Sequence, residues 1–112
     1  MSAQSIPGAK VHDLPPDEVA RGLAQGNVLL VDVREPNETA VERFPGAVHV
    51  PLSTFDPSAL PDPRGRQVVF ACRSGRRSVT ASQAAQAAGL AYDAHLAGGM
   101  LAWKAAGHPT ES

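Results

Sequence analysis

Val68-Val-Phe-Ala-Cys-Arg-Ser-Gly-Arg-Arg-Ser-Val-Thr80 is the stretch that decides how this chain is built. Val68 to Ala71 form an apolar, largely β-branched run, the pattern of a central strand buried on both faces. Arg73-Ser-Gly-Arg-Arg77 does not continue it. Ser78-Val-Thr-Ala-Ser-Gln-Ala-Ala-Gln-Ala-Ala88 then reads as an alanine-rich helix stopped by Gly89. A buried strand thus runs through a tight turn into a helix, and the lone cysteine of the chain, Cys72, stands at the junction.

The same alternation extends outward on both sides. Upstream, Val28-Leu-Leu-Val-Asp-Val33 is a second buried strand. Before it, Pro15 to Ala24 reads as a helix, with proline and two acids in the first turn and Gly26 as a stop. Lys10-Val-His12 starts a short edge strand, and Arg34 to Glu38 opens a short helix. Pro45-Gly-Ala-Val-His-Val-Pro51 reads as a turn, a three- or four-residue strand and a stop. Residues 53–66, with three prolines, read as loop with one short helix. Downstream, Ala91-Tyr-Asp-Ala-His-Leu96 is a short strand. Gly98-Gly99 leads into a last helix, Met100 to Ala106, ended by Gly107 and Pro109. Helices alternating with apolar strands imply an α/β fold with a mostly parallel sheet, whose ligands sit off the carboxyl ends of the strands. Cys72 lies at such an end. Residues 1–9 read as a flexible N-terminal tail and 10–112 as a single domain.

The chemistry at Cys72 follows from its neighbours. A strand-to-helix turn offers free backbone N–H groups and the positive end of a helix dipole, which favour an anion. Gly75 and Ser74 let the backbone curl so that several N–H groups converge. Arg64, Arg66, Arg73, Arg76 and Arg77 supply half of the ten basic side chains, and no acid occurs between Asp62 and Asp93. Each feature lowers a thiol pKa, and the thiolate is the nucleophile. A buried cysteine at a strand end is commonly mere packing, but packing needs no three arginines behind the thiol.

Composition narrows the alternatives. The 112 residues are 43% hydrophobic and 19% charged with a formal net charge of −1, which suits a globular core and gives no pull toward nucleic acid. Five aromatic residues form no stacking series. No apolar run approaches a membrane span, and the first residues show neither the charged nor the apolar region of a signal peptide. We therefore expect no nucleic acid, no membrane and a cytoplasmic location. His12, His49, His95 and His108 have no metal-ligand spacing among themselves, so no metal site is expected. Trp103, with Met100 and Leu96, reads as core.

Four motifs in order resemble the rhodanese, or sulfurtransferase, family. Cys72-Arg73-Ser74-Gly75-Arg76-Arg77-Ser78 matches its C-R-S-G-x-R-S loop. Leu30-Val-Asp-Val-Arg-Glu35, Pro45-Gly-Ala-Val-His-Val-Pro-Leu52 and Gly98-Gly-Met-Leu-Ala-Trp-Lys-Ala-Ala-Gly107 resemble its D-V-R, I-P-G-A and G-G-x-x-A-W segments. The match departs from the family at Glu42-Arg43-Phe44, where Gly-His-Ile is common, and at Thr39, where an aromatic residue is usual. The resemblance spans about residues 10–110 and implies a three-layer α/β fold with helices on both faces of the sheet. It also implies that Cys72 takes sulfane sulfur from a donor such as thiosulfate, forming a persulfide. A nucleophilic acceptor, cyanide in an assay or a thiol in the cell, then removes that sulfur. The N–H groups from Arg73 to Ser78 would cradle the persulfide, one of Arg73, Arg76 or Arg77 would hold the leaving anion, and no cofactor is required. Asp32 or Arg34 reads as a supporting residue that ties the active loop to the sheet through hydrogen bonds, rather than as a direct catalyst, since a carboxylate near a thiolate would raise its pKa.

Two other classes compete. Cysteine phosphatases and arsenate reductases need an arginine six positions after the cysteine, and position 78 is serine. The second is a binding-only or regulatory rhodanese-like module: such domains can bind partners after losing the cysteine, whereas this chain keeps it with the whole loop. A protein-to-protein sulfur relay uses the same chemistry with protein partners in place of a small-molecule donor and acceptor.

Overall fold

In a computed structural model, which describes residues 9–112, the chain forms five strands and four α-helices. In order these are β1 (His12–Leu14), α1 (Pro16–Ala24), β2 (Val28–Asp32), α2 (Pro36–Thr39), β3 (Val48–His49), β4 (Gln67–Ala71), α3 (Arg77–Ala87), β5 (Ala94–Leu96) and α4 (Gly99–Ala105). The expected tail at 1–9 lies outside the described residues except for Ala9, whose carbonyl accepts from Gln83 Nε2.

The sheet order is β1-β5-β4-β2-β3, and every ladder is parallel. The two strongest sequence runs, β2 and β4, are the central neighbours, paired from Val28–Gln67 to Asp32–Ala71. All five residues of β2 are buried because both of its faces are covered. Val28 and Leu30 point to one face, where they meet Val19 of α1, Met100 and Trp103 of α4, and Phe44. Leu29, Val31 and Phe70 point to the other, against Ala81 and Ala85 of α3. This is the three-layer architecture expected, with a parallel sheet throughout.

Three details differ from the sequence reading. The edge strand begins at His12 rather than Lys10, and the strand expected over 91–96 occupies only Ala94–Leu96. Residues 53–66 hold two 3₁₀ turns, Leu52–Thr54 and Pro57–Ala59, since their prolines permit tight turns but no longer helix. Trp103 is core: its ring meets Phe44 edge-on at 5.6 Å and its Nε1 donates to the Pro109 carbonyl at 2.8 Å. Phe44, one of the departures from the family pattern, thus fills the core with an aromatic pair worth about 1 kcal/mol beyond its area burial.

Candidate active site

β4 ends at Ala71, and Cys72 follows at the carboxyl edge of the sheet, only 1% exposed. The loop from Arg73 to Arg76 then delivers the chain into α3 at Arg77. Gly75 takes φ +104°, a left-handed conformation that side chains resist, and this turns its N–H toward Cys72 Sγ at 3.1 Å. Ser78, fully buried in the first turn of α3, places its Oγ 3.4 Å from the same sulfur. Burial pushes the thiol pKa up. The Ser78 hydroxyl and the backbone N–H groups of Ser78, Gly75 and Ser74 outweigh it, so the pKa lies below that of an ordinary cysteine.

The carbonyls on this loop are drawn the other way. Those of Cys72 and Arg73 accept from the backbone N–H groups of Met100 and Leu101, at 2.8 and 3.1 Å. The first turn of α4 therefore holds the loop's oxygens away from the thiol while its N–H groups face it. Gly99 makes this approach possible. A Cβ there would collide with the carbonyls of Cys72 and Arg73, and its φ of +59° disfavours any side chain.

The three loop arginines divide. Arg73 and Arg76 are exposed. The Arg77 guanidinium is engaged in a two-point contact with Glu38 of α2, at 2.6 and 2.9 Å. That contact holds the Glu38 carboxyl down at about 2, its first cause being the hydrogen bond from Arg77. An open hollow of about 310 Å³ lies beside Arg73, bounded by Arg34, Glu38, Val41, Leu101 and Lys104.

Asp32 and Arg34 are both buried and bonded to each other through three side-chain contacts of 2.8–3.1 Å. They do not tie the cysteine loop to the sheet as expected. Arg34 Nη2 donates to the Glu42 carbonyl at 2.9 Å and its guanidinium lies over the Phe44 ring, so the pair anchors the connection after α2 instead. The loop's carbonyls at Cys72 and Arg73 are held by α4 instead.

Two groups were missed by sequence reasoning. His95 Nδ1 lies 2.8 Å from Ser78 Oγ, and its Nε2 lies 2.6 Å from Asp13 Oδ1. The only signal for this contact is strand register, which pairs Asp13 with His95 across β1 and β5. The other histidines are placed elsewhere: His12 by Asp93, His49 on the Arg34 carbonyl, His108 on Asp17.

The family model for the rhodanese-like domain matches residues 15–106. The chain belongs to the rhodanese-like family. An uncharacterized protein of Synechocystis is 48% identical over 86 residues, which cover 77% of this chain and 48% of that protein. This rhodanese-like chain thus spans about half the length of that relative. A protein of Allochromatium vinosum named sulfurtransferase is 34% identical over 100 residues, covering 88% of this chain and 94% of its own length. The structure of a human single-domain sulfurtransferase superposes with a TM-score of 0.69 at 29% identity, covering 88% of this chain and 97% of that one. Among the described residues, no helix is long and apolar enough to cross a membrane.

Proposed function

We propose that this rhodanese-like domain is a sulfurtransferase that carries sulfane sulfur on Cys72. The observation that carries the reading is the enclosed Cys72 sulfur, ringed by the Gly75 N–H and the Ser78 hydroxyl in a short strand-to-helix loop. The Cys72 thiolate attacks the outer sulfur of thiosulfate. The sulfur–sulfur bond of the donor breaks, and sulfite leaves with the bonding electrons. The outer sulfur, now bonded to Cys72, carries the negative charge and sits among the loop N–H groups. An acceptor nucleophile, cyanide or a thiol, then takes that sulfur, and the bonding pair returns to Cys72 as thiolate.

Both halves are two-electron displacements between sulfur centres, so the step calls for no metal and no organic cofactor. Exposed Arg73 and Arg76 suit the anionic donor, since guanidinium charge is permanent and its fork matches oxyanions. A thiol this enclosed admits a slim atom rather than a phosphate ester. The position where a phosphatase arginine would stand is Ser78, already bonded to Cys72 and His95. A free thiol with no second cysteine to pair with suits a reducing compartment such as the cytoplasm.

The test is intact mass after thiosulfate and again after cyanide, with thiocyanate assayed alongside. The expected result is a gain of one sulfur atom that cyanide removes, absent in folded Cys72→Ser. Sulfur transfer retained by Cys72→Ser would end this reading. No gain from thiosulfate but a gain from a persulfide donor would change the donor and keep the carrier.

A further inference from the structure

β1 and β5 lie side by side in parallel, and their register sets Asp13 next to His95. The His95 side chain is 4% exposed and the Asp13 side chain 75% exposed. Between His95 and the thiol stands the buried hydroxyl of Ser78. Four residues from β1, β5, α3 and the end of β4 thus form one line of contacts: Asp13 Oδ1 to His95 Nε2 at 2.6 Å, His95 Nδ1 to Ser78 Oγ at 2.8 Å, and Ser78 Oγ to Cys72 Sγ at 3.4 Å. The line begins at an enclosed sulfur and ends at a carboxylate in solvent. The sulfur-transfer steps above use neither His95 nor Asp13.

The donor inventory fixes how this line works. An ionised carboxylate only accepts, so His95 Nε2 carries a proton toward Asp13. With a neutral ring, Nδ1 is then an acceptor, Ser78 donates to it, and the Cys72 S–H donates to Ser78. With a charged ring, Nδ1 donates to Ser78, which turns its own hydrogen toward the Cys72 sulfur. Ser78 therefore supports a thiolate most fully when His95 is protonated, because a neutral Nδ1 competes for the same hydroxyl hydrogen.

We infer that Ser78, His95 and Asp13 form a proton relay that takes the proton from the resting Cys72 thiol. The inference rests on the reading of Cys72 as the nucleophile. In the step, the Cys72 S–H bond breaks and its proton passes to Ser78 Oγ. Ser78 gives its own proton to His95 Nδ1. The products are a thiolate and an imidazolium whose Nε2–H is held by the Asp13 carboxylate; no proton is gained or lost overall. His95 and Asp13 act through Ser78 and are positioning residues. Asp13 is the carboxylate that β1 sets against the ring, Cys72 is the titrating group beyond β4, and α3 presents the neutral Ser78 hydroxyl.

The experiment is a pH titration of the thiolate absorbance in the far ultraviolet, with Cys72→Ser as the blank. The single cysteine makes the signal unambiguous. Asp13→Asn, a substitution at an exposed side chain, should raise the midpoint by about one unit through loss of a charge beside the imidazolium. His95→Gln should raise it further, and Asp13→Glu should restore the original midpoint. A purely structural contact would lower the unfolding midpoint of Asp13→Asn and leave its thiolate midpoint unchanged, which overturns the relay. If His95→Gln does not fold, Asp13→Asn still decides. The titration needs no sulfur donor. Shifted midpoints without persulfide formation would sink the sulfur-transfer reading alone, and persulfide formation with unshifted midpoints would sink the relay alone.

Discussion

Arg77 and Glu38, one in the first turn of α3 and the other in α2, meet in a parallel two-point contact at 2.6 and 2.9 Å. The guanidinium that the loop sequence offers to a substrate is thus committed to a neighbouring helix. Its task is to fix the start of α3, and with it Ser78, relative to the end of β2.

This contact makes stability depend on acid. The folded carboxyl of Glu38 sits at about 2 against an ordinary 4.5, so the unfolded chain binds more protons between those values. The contribution is complete above the ordinary value and is lost as pH falls toward the folded one. Because the pair is partly exposed, Glu38→Gln should cost about 1 kcal/mol at neutral pH. Urea midpoints taken from neutral to strongly acidic pH should converge for wild type and variant. A constant gap down to the lowest pH would assign the loss to packing.

Arg73→Ala and Arg77→Ala should fail differently. Arg73 is exposed beside the open hollow, so its loss should raise KM for thiosulfate about tenfold, an effect that added salt diminishes. Arg77→Ala should lower the unfolding midpoint. Equal KM effects from both would contradict this division of roles.

Gly99→Ala should damage the site more than the sheet. The added methyl meets the carbonyls of Cys72 and Arg73 in a conformation that is itself costly, by about 1–3 kcal/mol. The loop must shift, and the thiolate midpoint should rise. An unchanged midpoint with wild-type stability would show that α4 does not set the loop.

The buried pair Asp32–Arg34 should behave as architecture. Arg34→Met leaves the Asp32 carboxylate buried and unpaired, a loss of about 3 kcal/mol. Adding Asp32→Asn should recover part of that stability, and the double variant should still form persulfide. A stable double variant without persulfide would assign the pair a direct part in the chemistry.

What could be read from sequence was local or strongly patterned. β2 and β4 are legible because burial on both faces leaves a continuous apolar run, and the turn at Cys72 because Gly75 and the helix start follow at once. Asp13 and His95 were not legible as partners. They lie 82 positions apart and meet only because β1 returns to the edge beside β5. The Arg77–Glu38 contact was hidden for a similar reason, since α2 is a single turn with no apolar stripe to orient it. The Asp32–Arg34 pair was read as structural but assigned the wrong partner, because its reach to Glu42 and Phe44 depends on a connection without periodicity.

The first turn of α4 has a consequence for how the protein comes into being. The backbone groups that draw back the Cys72 and Arg73 carbonyls lie well downstream of the cysteine and are synthesised after it. Until Gly99, Met100 and Leu101 have left the ribosome and docked, the carbonyls of Cys72 and Arg73 lack the N–H groups that hold them. The cysteine loop is thus completed only when α4 has docked. A product broken off before α4 would carry the same cysteine in a loop whose Cys72 and Arg73 carbonyls nothing restrains.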